Sequence, residues 1–431
     1  MVSKNEVNDT NIELGPIPRS WKLTLLFEAC LNITDGKHGD CENQENSGYY
    51  FISCKDIYDK KINYERARQI TKMDFEETHK RTKLEANDVL LTNSGTIGRL
   101  AIARDNDLTQ KTTFQKSVAV LKPDKKVIFP EFLYYSLLAN KKRLIAVSGG
   151  TTQKNLLLKD IREFAILICD IDEQISISRI LSDLDSKIEL NQQMNKTLES
   201  IAQAIFKHWF IDFEFPDENG QPYKSSGGEM VDSELGEIPK GWMIKPIDSI
   251  AEFLNGLPLQ KYAVSENEDY LPVIKIRELN NGITDSSDKA SANIPKNYIV
   301  ENGDVLFSWS GTLGIVIWGQ GKGALNQHLF KVTSKSYPKW FYYYWVLHYL
   351  PSYVDIAKDK ATTMGHIQRH HLSESLVAVP DNKTLEFMNR VFSPITDRII
   401  QTKTESINLT KIRDLLLPKL MSGKIRVPLE E

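Results

Sequence analysis

The four cysteines, Cys30, Cys41, Cys54 and Cys169, form no CxxC pair, and free thiols in a reducing compartment are expected. His38 and Cys41 would suit zinc chemically but match no recognised ligand spacing. No apolar run approaches a membrane span, and the opening MVSKNEVNDTN is polar with no secretory core. A cytoplasmic protein without a membrane partner is therefore expected. A net positive charge is missing too: 54 basic residues face 57 acidic ones, a net −3. Such a balance does not advertise nucleic-acid binding.

Catalytic motifs are equally scarce. The phosphate loop GxxxxGK[ST] is absent, because Gly321-Lys322 is followed by Gly323 and Val316 holds the first glycine position. That argues against an ATP motor. No Pro-Pro pair exists, which removes the (N/D/S)PP(Y/F) motif of amino-methyltransferases. Pro123-Asp124 and Pro216-Asp217 lack the ExK partner of a nuclease triad, and neither HExxH nor GxSxG occurs. Of eight histidines, only His366, His370 and His371 cluster, and a surface loop explains them better than a metal does. No catalytic residue, bound metal or cofactor is predicted.

What the chain does have is a long heptad stretch from about Asp170 to Phe213. Ile177, Leu181, Leu184, Ile188, Leu198, Ala202, Ile205 and Trp209 alternate by fours and threes, as the seam of a coiled-coil helix does. Asn191 and Asn195 fill the gap in the seam, where polar residues cost stability but fix register. Asp170 or Asp172 is the expected N-cap. About 40 residues at about 1.5 Å each make a rod of about 60 Å. The alternative is a long helix packed on its own domain.

At 431 residues the chain has room for two or three domains, and it repeats itself. LGPIPRSW (14–21) returns as LGEIPKGW (235–242), and LEANDVLLTNSGTIGRLAIA (84–103) as VENGDVLFSWSGTLGIVIW (300–318). FLYYSLLA (132–139) returns as FYYYWVLH (341–348), and TTQKNLLLKDIREFAILI (151–168) as TTMGHIQRHHLSESLVAV (362–379). The rod itself returns at Asp381 and ends in LLLPKLMSGKIRV. Its predicted seam is Val391, Ile395, Ile399, Leu409, Ile412 and Leu416, with a kink or late start at Pro394 and an end near Pro418. The ordered matches divide the chain into a globular domain (1–169), a long helix (170–214), a second globular domain (215–380) and a second long helix (381–431). Their net charges are +4, −5, −4 and +2. The predicted fold class is α+β, with two similar globular domains joined by two long antiparallel coiled-coil helices in a pseudo-twofold repeat.

The recurring polar features suit binding. Asp88-Val-Leu-Leu and Asp304-Val-Leu-Phe read as buried strands entering the loops Asn93–Gly98 and Trp309–Gly314. Ser94 and Thr96, with Ser310 and Thr312, sit where backbone N–H groups could approach a phosphate; a tight turn inside the fold is an equal reading. Gln115 followed by Lys116, and Asn326-Gln327-His328, place amides after similar strands, and amides and cations read base edges. Thr152, Gln153 and Lys154 match Thr363, His366, Gln368 and Arg369 in polar loops, where readout residues usually sit. Arg66, Arg68, Lys72, Arg81 and Lys83, with Lys275 and Arg277, are candidates for tracking a phosphate backbone.

The paired LGxIPxxW openings, the GDVL-type strand with its SGTxG loop, the TTQKNL turn before the DEQ helix start and the closing PKLMSGKI resemble the specificity subunit of type I restriction–modification systems. The resemblance covers nearly the whole chain. It implies that residues 14–165 and 235–377 are target-recognition domains, each reading one half of a bipartite, asymmetric double-stranded DNA target. It also implies that the helices set the unread gap and present surfaces to two methyltransferase subunits. S-adenosylmethionine, ATP and magnesium would belong to those partners and to the motor-nuclease (restriction) subunits, leaving this chain without activity of its own. Two rival readings remain: a stand-alone restriction or modification enzyme with an unrecognised catalytic site, and a coiled-coil adaptor. In the second repeat Asp381-Asn382-Lys383-Thr384 replaces Asp172-Glu173-Gln174, and Met364-Gly365 replaces Gln153-Lys154.

Overall fold

A computed structural model describes residues 17–58, 60–149, 154–359 and 365–428. The chain divides into two compact units, Met1–Ser186 with Thr410–Glu431, and Lys187–Leu409. Neither boundary falls at the end of a helix. The first long helix, Ile171–Phe206, continues through a π-helical turn at Lys207–Ile211, and the second spans Asn382–Met421. Each helix thus contributes to both units.

The first unit is built on an antiparallel sheet in the order Cys30–Asp35, Val118–Pro123, Val89–Thr92, Leu100–Ile102. The chain's first strand, Lys22–Leu25, pairs with Ala165–Ile168 just before the long helix begins. A small second sheet sets Tyr50–Ile52 parallel to Thr112–Phe114 and antiparallel to Arg68–Gln69. The second unit repeats the plan. Its sheet runs Glu252–Asn255, Leu329–Thr333, Val305–Ser308, Gly314–Ile317, and Met243–Pro246 pairs with Leu376–Val379. Its second sheet again has one parallel pair, Tyr270–Ile274 beside Gly323–Leu325.

One ion pair recurs at the same place in both sheets. Asp88 enters its strand 2.7 Å from the Lys122 ammonium, and Asp304 does so 2.7 Å from Lys331. Burial pushes the Asp88 carboxyl up from its usual range, while Lys122 pulls against that shift.

Each unit closes its core with pieces of both long helices. In the first, Trp21, Phe132, Tyr135 and Ile166 pack with Ile177 and Leu181 from one helix and with Leu417, Leu420 and Met421 from the other. In the second, Phe206, Trp209 and Phe210 meet Trp340, Trp345, Met388 and Phe392. The π-helical turn carries Trp209 and Phe210 into this cluster, a common use of a locally widened helix.

Within the second unit the two helices run antiparallel. Asn191 Nδ2 donates to Glu405 Oε2 at 2.9 Å, and the Thr402 hydroxyl donates to Asn195 Oδ1 at 2.5 Å. Lys403 pairs with Glu199 at 2.9 Å. Asn191 and Asn195 are buried in this polar layer. Of the seam residues on the first helix, Ile177, Leu181, Ile188 and Trp209 are buried, and Leu184, Leu198 and Ile205 are half-buried.

The second helix differs from its expected form. It starts at Asn382, ahead of Pro394, and runs on through Pro418. Thr384 N–H and its hydroxyl both bond the Asp381 carboxylate, which anchors the start early enough for Pro394 to be absorbed as an interior residue. Its buried row is Met388, Phe392, Thr396, Ile399 and Thr402. Val391, Ile395, Leu409 and Leu416 are half-buried, whereas Ile412 is 46% exposed. Met388 and Phe392 insert into the aromatic cluster, and the buried row keeps Ile399 of the expected seam but adds Thr396 and Thr402, which lay outside it.

The four cysteines are free, and three are buried; burial pushes the Cys30 thiol up to about 12. Among the described residues, no helix is long and apolar enough to cross a membrane.

Candidate nucleic-acid interface

Strand direction gathers the polar loops at one end of each main sheet. In the first repeat Cys30–Asp35 and Val89–Thr92 end there, while Val118–Pro123 and Leu100–Ile102 begin there, as the pairings Asp35↔Ala119, Thr92↔Val118 and Leu91↔Leu100 require. Loops 36–39, 93–99 and 115–117 therefore converge. In the second repeat the pairings Asn255↔Phe330, Ser308↔Leu329 and Ser308↔Gly314 gather loops 256–258, 309–313 and 326–328 in the same way.

Four backbone hydrogen bonds hold the cluster, and all four occur twice. Lys37 N–H donates to Phe114 O and Lys116 N–H to Lys37 O; their counterparts run from Leu257 to Leu325 and from Gln327 to Leu257, all at 2.8–3.1 Å. Gln115 N–H donates to Ile52 O as Asn326 N–H does to Ile274 O, tying each loop to the smaller sheet. Leu156 N–H donates to Asn93 O as Ile367 N–H does to Trp309 O, so the glycine loop is joined to the polar loop ahead of each long helix.

The glycine loops themselves are pinned turns. The Thr92 hydroxyl donates to Thr96 O and accepts from Arg99 N–H, and the Ser308 hydroxyl donates to Thr312 O. Gly95 and Gly311 take positive φ, which a turn this tight requires. Gly98 N–H is used by Thr92 O and Gly311 N–H by Gly365 O. The turn reading therefore accounts for part of the amide set. Thr96 and Thr312 stand exposed at the tips.

The side chains on this doubled frame differ. In the first repeat Lys116 and Lys154 are exposed and Gln115 and Ser94 half-buried. In the second, Ser310 is buried and bonded to His328 Nδ1 at 3.0 Å, so its hydroxyl is turned inward. Trp309 lies among His328, His366 and Phe330, and its indole N–H donates to Asn255 Oδ1. Gln327 is half-buried and Gln368 exposed, while Arg369 donates to Phe253 O. Thr152, Gln153 and Thr363 lie outside the described residues.

The backbone-tracking candidates are mostly paired with acids. Arg68 bonds Asp40, Asn43 and the Cys41 carbonyl; Arg81 bonds Asp35; Lys72 faces Glu76 at 3.7 Å. Lys83 caps a helix in left-handed conformation, and Arg66 is exposed. Lys275 pairs with Asp288, and Arg277 with Glu278 at 2.8 Å.

Two residues that sequence reasoning missed hold the frame together. A Cβ on Gly36 would lie 1.9 Å from Phe114 O, and one on Gly256 would lie 2.2 Å from Asn326 O. Both glycines directly follow the first strand of their sheet. A shared Gly at an offset of about 220 residues was the available signal. Gly36→Ala is expected to displace the 36–39 loop and cost about 1–3 kcal/mol, as forced overpacking does. Chemical denaturation measures this, and a change below about 0.5 kcal/mol would contradict the close approach.

Metal ligation finds little footing. His38 Nε2 lies 2.9 Å from Asp35 Oδ2, and Cys41 Sγ faces Thr78. Among the described residues the one group of three candidate ligands is His370, His371 and Glu374. There His371 Nδ1 already accepts the Gln368 N–H at 3.0 Å.

A duplicated α+β module, joined by long helices and presenting one loop cluster per copy, is the class of protein defined here. The family model for the type I restriction modification DNA specificity domain matches twice, over residues 31–200 and 239–409, and the chain belongs to that family. It is 27% identical to the type I restriction enzyme MjaIX specificity subunit of Methanocaldococcus jannaschii, over 98% of this chain and 97% of that one. It is 26% identical to the HindI specificity subunit of Haemophilus influenzae, over 74% and 83%. The crystal structure of the type I S subunit from M. genitalium shares the fold, with TM-score 0.57 and 15% identity over 97% and 99% of the two chains.

Proposed function

We propose that this chain is a DNA-specificity subunit that reads a bipartite, asymmetric double-stranded target, one half-site per repeat. The observation that carries this reading is the loop cluster built twice on the same four hydrogen bonds with different side chains. A fixed frame with variable tips suits two readers of two different sequences. The readers are residues 1–169 and 215–380, and the long helices in 170–214 and 381–431 set the unread gap. Lys116, Lys154, Gln115, Thr96, Thr312, Gln327, His366, Gln368 and Arg369 are the proposed contacts. The subunit has no catalysis of its own. Two methyltransferase subunits dock on the helices and bring S-adenosylmethionine, and restriction subunits bring ATP and magnesium.

Exchanging residues 14–165 for the same region of a relative is expected to change one half of the methylated sequence and leave the other intact. Methylome sequencing of a strain carrying the complete system reads this directly. A change in both halves, or in neither, would sink the assignment of one repeat to one half-site. Binding by the complex is expected to weaken steeply with salt, while the isolated subunit, with net −3, binds feebly.

A further inference from the structure

The first unit holds a cavity of about 170 Å³ lined by Leu23, Ala139, Asn140, Arg143, Leu167 and Met421, among others. It is large enough for about six waters at ~30 Å³ each. Arg143 is its one charged lining residue. The guanidinium donates to Asn140 Oδ1 at 2.6 Å and to the Ala165 carbonyl at 3.4 and 3.5 Å, and it lies 4.8 Å from the centre of the Phe164 ring. Among the described residues no carboxylate lies within ion-pairing distance of it. Burial pulls this guanidinium below its usual range, so its charge is held at a cost.

The second repeat shows that the charge is not needed to hold the fold. Leu376 stands where Ala165 stands in the first copy, and its carbonyl accepts from the neutral Tyr349 hydroxyl. The position matching Arg143 is Ser352. A phenol does the structural work there, and the first repeat keeps a half-buried cation beside an open cavity instead.

We infer that the cavity at Arg143 is a binding site for a carboxylate, present in the first repeat and not in the second. Asn140 and Ala165 take the Nη1–Nη2 side of the guanidinium, the remaining Nε–Nη2 edge suits a carboxylate's two oxygens, and the Leu23, Leu167 and Met421 walls suit a short aliphatic stem. The carboxylate has two available sources: a small free acid, or an acidic side chain of a protein bound to the first unit. The second source rests on the proposed function, the first does not.

The test uses the full chain, with acetate and succinate as probes and sodium chloride at matched ionic strength as control. Calorimetric titration is expected to show saturable binding of a probe to the native chain. Arg143→Gln is expected to weaken it about tenfold or more, a loss of about 1.4 kcal/mol. Arg143→Lys, which keeps the charge without the fork, should fall between the two. Assembly with the methyltransferase subunit is measured in parallel. Weakening of assembly in Arg143→Gln, with competition by acetate, assigns the site to a protein's carboxylate. Intact assembly with lost probe binding assigns it to a free acid. The inference is overturned if neither probe binds beyond the chloride control and assembly is indifferent to Arg143→Gln, or if all three chains bind equally. Failure of the half-site exchange above would leave the probe titration standing, so the two readings fail separately.

Discussion

Asp185→Ala is expected to destabilise the first unit by about 2–4 kcal/mol, the range for stripping one partner from a mostly buried ion pair, lowered for partial solvent access. Three groups converge on this carboxylate. The hydroxyl of fully buried Tyr135 donates to it at 2.7 Å, Arg413 pairs with it at 2.8 Å, and Lys60 stands 3.8 Å away. The side chains of Asp185 and Arg413 are only 17% and 23% exposed. In the native chain, burial and the neighbouring Asp185 carboxylate hold the Tyr135 phenol far above its usual range, so the hydroxyl stays a donor. Removing Asp185 leaves the buried Tyr135 hydroxyl without its acceptor and takes from Arg413 the more buried of its two carboxylate partners, Asp414 remaining at 2.8 Å. Asp185→Asn keeps an oxygen for Tyr135 and should cost less than Asp185→Ala. Denaturant unfolding, followed by probes in each unit, separates loss in the first unit from stability of the second. A change below about 0.5 kcal/mol for Asp185→Ala would show that water screens the network.

The second large effect concerns the gap. If the helices set it, seven residues inserted into both, between Ser186 and Lys187 and between Leu409 and Thr410, should add about 10 Å at 1.5 Å per residue. That corresponds to about three base pairs at 3.4 Å each. Seven residues preserve heptad phase, and these positions leave the Asn191–Glu405 and Asn195–Thr402 bonds untouched. Methylome sequencing is expected to return both half-sites unchanged with a longer spacer. An active complex whose spacer is unaltered would reject the ruler.

Much of this architecture was legible because repetition tests itself. Five ordered matches showed that the module is doubled, and the heptads of Ile177, Leu181 and Ile188 located the first helix; that each long helix is divided between two compact units was not visible. The second helix was harder because its phase is set elsewhere. Met388 and Phe392 are drawn into an aromatic cluster whose other members lie far off in the chain, and Ile412 is left exposed. Pro394 misled for a related reason: a local breaker matters less once Asp381 has fixed the start and packing holds the flanks. Within the loop cluster, the serine–threonine loops were visible, whereas Gly36 and Gly256 were not. Their role is a contact with Phe114 and Asn326, about 80 and 70 residues away, and no local pattern reports such a contact. Ser310 shows the converse, since a polar residue in a polar loop is turned inward by His328.

The first unit takes its last pieces from the far end of the chain. Leu417, Leu420 and Met421 complete its core, and Arg426 grips the Glu173 carboxylate at 2.6 and 3.0 Å beside the Trp21 indole. During synthesis the segment before Lys187 must therefore wait for the segment after Leu409. At about 5–20 residues per second, the intervening Lys187–Leu409 takes roughly 10–45 s to emerge. Through that interval the faces of Ile177 and Leu181 lack their final cover, the kind of transiently exposed apolar surface that favours aggregation, and a chain stopped before Leu417 would leave the first core open.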